Sequence, residues 1–211
     1  MIVYKEAGRD ELKEAAELQI ESFSGYSFFE MYIENKEKRL RFLRAIQEVE
    51  VKAFYKKHIV LVGVQENKIV SVALLKSPDK SEVGLLDYAL AGGFKILFAG
   101  GPINTFGFLK MLEEAGSVCH RLPGRVWYLE SLAVSASCQG QGLGSKMLED
   151  CIKPFIAKRG GGSLALITNA ERNRIFYKKN GFEEFHETVI SRNGKRIGSW
   201  SYRMKIGEGF V

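Results

Sequence analysis

Three glycines at alternate positions in Gln139-Gly140-Gln141-Gly142-Leu143-Gly144-Ser145-Lys146 stand directly before a segment in which Leu143, Met147, Leu148, Cys151, Ile152, Phe155 and Ile156 recur at three- and four-residue steps. That periodicity predicts a helix with one buried face. Residues without side chains let a ligand approach the main chain, and the first turn of a helix presents NH groups that no carbonyl inside the helix accepts. With the helix dipole, those donors favour phosphate oxygens, so the loop is a candidate diphosphate site. Two nucleotide readings fit poorly. The phosphate loop of ATPases ends in Gly-Lys-Ser/Thr, whereas here Gly144 is followed by Ser145-Lys146 in the reverse order. The dinucleotide fingerprint is Gly-x-Gly-x-x-Gly, whereas Gly140, Gly142 and Gly144 are evenly spaced.

The loop instead resembles the Gln/Arg-x-x-Gly-x-Gly/Ala acetyl-CoA motif of the GCN5-related N-acetyltransferase (GNAT) superfamily, matched by Gln139, Gly142 and Gly144. Leu129-Glu130-Ser131-Leu132-Ala133-Val134 before it is similar to that family's fourth strand. Ser137 stands in a stretch where many members place a proline. Downstream, Asn173-Arg174-Ile175-Phe176-Tyr177 and Gly181-Phe182 resemble a second family motif, so the likeness runs from Val126 to Phe182. It implies an α/β (α+β) fold with a central mixed, mostly antiparallel sheet flanked by helices. It also implies that acetyl-CoA is the cosubstrate, held by Leu132, Ala133, Val134, the whole loop from Gln139 through Gly140, Gln141, Gly142, Leu143, Gly144 and Ser145 to Lys146, and then Asn173, Phe176 and Tyr177.

As the resemblance implies, a primary amine attacks the acetyl carbonyl directly while both substrates are bound. The attacking amine must be neutral, and donors must face the developing oxyanion. A backbone NH near Val134 would serve the oxyanion, and Tyr177 would protonate the departing thiolate. Glu130 is the candidate base, since on a regular strand Tyr128, Glu130, Leu132 and Val134 share a face; a surface or ion-paired glutamate is the alternative. Asn173, one helical turn before Tyr177, could hold the coenzyme arm. No cysteine intermediate is needed, and Cys138 and Cys151 read as structural. His58, His120 and His186 fit no motif, and no HExxH or paired Cys/His spacing proposes a metal.

Stepping outward from these residues, Val126 to Val134 is the clearest strand, and Pro154 predicts a kink or early stop in the helix after the loop. Ser163 to Thr168 reads as a buried strand, Arg172 to Lys179 as a short helix, and His186 to Ser191 with Ile197 to Ile206 as a hairpin turning at Asn193-Gly194. Upstream, Ile2 to Lys5 can open a sheet, and Asp10 can cap a helix interrupted at Gly25. A further helix extends to about Lys57, and Phe23, Tyr26, Phe28, Phe29 and Tyr32 form either a packed helix corner or a pocket wall. Ile59 to Val64 and Lys68 to Leu75 flank Gln65-Glu66-Asn67 as a hairpin. The whole of 1–211 reads as one N-acetyltransferase domain with a helical insertion at about 77–125.

The 31 basic and 25 acidic residues give a net charge of +6, but the basic residues are interspersed with glutamates, as in Glu34-Asn35-Lys36-Glu37-Lys38-Arg39. Without a basic block or a recognisable module, nucleic acid is not the expected partner. No window is long and apolar enough for a membrane span. Three cysteines without a CxxC pair and an N-terminus without a signal peptide's apolar run suit a cytoplasmic location. The expected acceptor is a small-molecule amine; protein or peptide acetylation, or acetyl-CoA binding without catalysis, are the alternatives. A homodimer is expected by analogy alone.

Overall fold

In the computed structural model, which describes residues 1–208, the strands are β1 (Val3–Glu6), β2 (Ile59–Gln65), β3 (Lys68–Lys76), β4 (Val126–Val134), β5 (Gly162–Thr168), β6 (Glu183–Arg192) and β7 (Lys195–Ile206). They form one seven-stranded sheet in the order β1-β2-β3-β4-β5-β7-β6. Every neighbouring pair is antiparallel except β4 and β5. The mixed, mostly antiparallel sheet expected from the sequence is therefore present. Both hairpins turn where their residue types allow it: Glu66 and Asn67 have φ of 51° and 59°, and Asn193 and Gly194 have 50° and 75°. Left-handed conformations at both central positions match the right-handed twist of the strands they join.

Helices cover the sheet as α1 (Leu12–Phe23), α2 (Ser27–Glu30) and α3 (Lys36–Lys57), followed by α4 (Leu85–Leu90), α5 (Phe94–Gly100) and α6 (Pro102–His120). The last three fill the region expected to be a helical insertion. Asp10 does not cap α1. It lies in a short 3-10 turn, Arg9–Glu11, and the Glu11 carboxylate accepts from the Gly8 NH at 2.7 Å. Beyond β4 come α7 (Leu143–Lys146), a π-wound segment (Met147–Ile152) and α8 (Lys153–Ala157), which run on as one helical rod; α9 (Glu171–Lys179) follows β5. Pro154 neither stops nor breaks the rod. It has no NH to donate, and the wider turn just before it shifts the hydrogen-bonding step, so the rod continues.

One core lies under this rod, where Met147, Leu148, Ile152 and Ile156 meet Leu75, Trp127, Leu129 and Leu166. A second, on the other face, joins α1 and α3 to Val62, Val72, Leu74 and Ala133. A third is built from Phe28, Phe29, Phe42 and Phe108 between α2, α3 and α6. β4 thus has buried residues on both faces.

Candidate active site

β4 and β5 pair only through Val126, Trp127 and Tyr128 with Ser163, Leu164 and Ala165, and then part. On the other edge of β4, the Ser135 NH donates to the Val70 carbonyl at 3.0 Å, and Ala133 sits opposite Val72. Antiparallel pairing alternates, so the main-chain groups of Leu132 and Val134 turn away from β3 and into the gap left by β5. The Val134 carbonyl there accepts from Ser22 Oγ at 3.2 Å and from Gln139 Nε2 at 3.3 Å.

A bulge interrupts β4. Leu75 faces Leu129 and Leu74 faces Ser131, which leaves Glu130 without an opposite residue. An inserted residue reverses the facing of everything beyond it. The expectation that Tyr128, Glu130, Leu132 and Val134 share one face is therefore corrected: Ala133 joins the core on the α1 side, while Leu132 packs with the core beneath the rod.

The wider of two adjoining cavities, with about 420 Å³ of open space, is lined by Leu132, Ala133, Val134, Gln139, Gly140, Gly142, Leu143, Gly144, Ser145, Asn173, Phe176 and Tyr177. All of these were named from the sequence as coenzyme-contacting residues. Gly140 and Gly142 have φ of 79° and 75°, and the space where a β-carbon would stand is open at both. At Gly144 a β-carbon would come within 3.1 Å of the Phe176 ring, so rod and α9 approach closely there and a larger side chain would have to displace the ring. The Gly142 carbonyl accepts from the Lys146 NH at 3.0 Å, which marks the start of the helical ladder and leaves the first-turn NH groups facing the cavity mouth.

Two residues expected in this set lie apart from it: Gln141 turns back to donate to the Ser137 carbonyl at 3.3 Å, and Lys146 does not line the cavity. Arg172 and Lys179, which sequence reasoning missed, do line it. Their seven-residue spacing on α9 puts them on the face that carries Asn173 and Phe176, and that spacing was the available signal. A coenzyme with a polyanionic tail fits this set of donors, glycines and cations.

The narrower cavity, with about 120 Å³ of open space, shares Phe23, Tyr26, Leu132, Asn173 and Tyr177 with the wider one. The Phe23 to Phe29 stretch is both a packed corner and a pocket wall, joined by Phe108 of α6. Tyr177 is 8% exposed, and its ring lies 5.1 Å from Phe176 and 5.3 Å from Phe182. Burial, with the Tyr26 hydroxyl nearby, pushes its hydroxyl well above the usual tyrosine range, so the group keeps its proton at neutral pH. The Tyr26 hydroxyl accepts from the Asn169 NH at 2.8 Å, and Asn173 Nδ2 donates to Thr168 Oγ1 at 2.9 Å, which fixes the top of α9 against β5.

Two carboxyl groups line this cavity, Glu130 on β4 and Glu50 on α3. Glu130 is paired with Lys76 at 2.9 Å, and Lys76 also reaches Glu82 at 3.3 Å. Burial works against the Lys76 charge, but Glu130 and Glu82 outweigh it and hold the ammonium well above its ordinary range. Glu50, on α3, lines the same cavity, and burial with Glu130 nearby pushes its carboxyl up to about 8. Sequence reasoning did not single out Glu50. Leu43, Gln47, Glu50 and Phe54 fall at helical steps on the inner face of α3, and a glutamate on that face was the visible clue.

Residues 94–184 match the family model described as an acetyltransferase (GNAT) domain. No curated protein sequence matches the chain. Among solved structures, the chain resembles a histone acetyltransferase HPA2 and related acetyltransferase from Corynebacterium glutamicum, with 19% identity and a TM-score of 0.66 over 100% of this chain and 98% of that one. It also resembles the Drosophila melanogaster polyamine N-acetyltransferase that forms N-acetylagmatine, at 14% identity and a TM-score of 0.61 over 97% and 100%. A mosquito arylalkylamine N-acetyltransferase like 5b is similar at 17% identity and a TM-score of 0.58 over 97% and 100%. At these identities the likeness is one of fold.

Proposed function

We propose that this chain, whose residues 94–184 match an acetyltransferase (GNAT) domain model, transfers an acetyl group from acetyl-CoA to the primary amine of a small molecule, both substrates being bound at once. The observation that carries this reading is the meeting of two cavities at Leu132, Asn173 and Tyr177, over the gap between β4 and β5. One cavity has the glycine loop, the rod's first turn and two cations; the other is aromatic and acidic.

In this reading acetyl-CoA supplies the activated acyl group, and the loop from Gln139 to Ser145 with Arg172 and Lys179 binds its anionic portion. The main-chain NH groups of Leu132 and Val134 face the junction and stabilise negative charge developing on a carbonyl oxygen there. The amine reacts as the free base, forms the amide bond and loses a proton to solvent, while the C–S bond breaks. Tyr177 holds a proton at the junction and gives it to the departing sulfur, to be replenished from water. Glu130 is an ion-pair partner of Lys76 rather than a free base. Enclosure by α2, α3 and α6 favours a small acceptor over a protein side chain, as do the amine substrates named for the fly and mosquito enzymes of like fold.

Release of free thiol from acetyl-CoA, measured across a panel of primary amines, tests the proposal. Turnover with at least one small amine, and none with lysine-containing peptides, is the expected result. Tight coenzyme binding with no turnover on any acceptor would instead favour a binding protein.

A further inference from the structure

We infer that Glu50 and Gln47 form a subsite for a second cationic group on the acceptor, an ammonium or guanidinium, so that the preferred acceptor carries two positive charges joined by an apolar chain. The inference rests on the amine-acetylation reading above and specifies its substrate.

Glu50 lines the narrower cavity, yet among the described residues it has no ion pair or side-chain hydrogen bond. Its neighbour Glu130 is already matched by Lys76. A carboxyl pushed up to about 8 by burial and Glu130 is held largely in its neutral form, and a cation entering the cavity would stabilise its ionised form. Gln47, one turn earlier on α3, is an independent indication. It is 4% exposed and lines the same cavity, and its amide oxygen is buried without a donor. Rotation of an amide about its last bond can turn the oxygen toward a ligand NH, and buried amides in folded proteins are otherwise nearly always paired. A carboxylate and an amide oxygen side by side ask for a cation with several NH donors.

Position separates this subsite from the reacting end. Gln47, Glu50 and Glu130 line the narrower cavity alone, whereas Tyr177 lines both and so stands beside the coenzyme cavity. Phe23, Tyr26, Phe28, Phe29 and Phe108 wall the same cavity, a surface suited to methylene groups and cations. An acceptor that reacts at Tyr177 and reaches Glu50 lies along this aromatic wall.

The test compares 1,4-diaminobutane and 1,5-diaminopentane with butylamine and pentylamine, by thiol release and by calorimetric binding to the CoA-loaded protein, for wild type, Glu50→Gln and Gln47→Leu. We expect wild-type kcat/KM to favour the diamines by about tenfold or more. Glu50→Gln should collapse that ratio through the KM of the diamines, with Gln47→Leu acting in the same direction. Equal preference for monoamines and diamines in the wild type would overturn the inference. So would an equal kcat loss in Glu50→Gln for both classes, which would make Glu50 a base. If no amine is turned over, the acetylation reading fails, but calorimetry still decides the subsite. Tighter diamine than monoamine binding, lost in Glu50→Gln, would sustain it, and equal binding would sink it.

Discussion

Tyr177 is held by its ring: Phe176, Phe182 and Tyr202 lie with centroids at 5.1, 5.3 and 5.7 Å, and no side-chain hydrogen bond among the described residues restrains its hydroxyl. Removing the oxygen therefore leaves the packing intact, which makes Tyr177→Phe a clean test. A thiolate leaving without a proton donor is slowed, and general-acid contributions are typically of the order of 10² or more. The expected outcome is a kcat lower by about 10²-fold, with coenzyme affinity changed by less than about threefold. Steady-state rates beside equilibrium titration with CoA separate the two, and an unchanged kcat would remove Tyr177 from the mechanism. Glu130 illustrates the opposite case, because its carboxylate is committed to Lys76 and its place on the strand bulge sets its direction.

At the scale of elements, strand, glycine loop and rod work as a unit because α9 presses against the loop through Phe176. Gly144→Leu would force that ring aside, and coenzyme affinity should fall by about tenfold or more, the equivalent of about 1.4 kcal/mol. Gly142→Ala adds no clash, since its surroundings are open, but places a β-carbon at φ of 75° and should lower stability by about 1 kcal/mol. Titration with CoA, with melting curves to confirm folding, reads both, and unaltered affinity in Gly144→Leu would reject the loop as the coenzyme site. Local chemistry explains what was legible from sequence here. Glycines, turn dipeptides and apolar periods act over a few residues, so both hairpins, the bounds of β4 and the loop before the rod could be read directly. The β4 bulge, the π-wound turn before Pro154 and the role of Glu50 depend on which distant element packs alongside. Gln47 and Glu50 stand at helical steps from Leu43 and Phe54, but that this face of α3 meets a cavity depends on the elements packed against it. Likewise, the part of Arg172 and Lys179 in the coenzyme cavity shows only once α9 is set beside the loop.

For the whole molecule, stability depends on the sheet's centre and on groups buried in an unfavourable charge state. Trp127 is fully buried, and its Nε1 donates to the Gly161 carbonyl at 2.9 Å, tying β4 to the turn before β5. Trp127→Ala should cost about 3–5 kcal/mol, seen as a lower denaturant midpoint. Two other groups bound the range of pH from opposite sides. Burial, with Lys76 nearby, lowers His58 to about 4, and its Nδ1 accepts from the Ser77 NH at 3.3 Å. Unfolded, a histidine titrates near 6.5. The unfolded chain therefore binds more protons between those values, and the His58 contribution is present above about 6.5 and is lost as pH falls toward 4. Glu50 has the opposite sign. Its folded value of about 8 exceeds that of an unfolded glutamate, near 4.3. Its contribution is full below about 4.3 and is lost as pH rises through about 8, where burial and Glu130 oppose its charge while Lys76 favours it. Glu50→Gln should therefore raise the melting temperature more at pH 9 than at pH 5, because the glutamine never ionises. His58→Asn, which keeps an acceptor for Ser77, should flatten the decline on the acid side and leave the alkaline side alone. Melting curves at pH 5, 7 and 9 distinguish these effects, and a Glu50→Gln curve parallel to the wild type would show that this carboxyl is not held neutral by its surroundings.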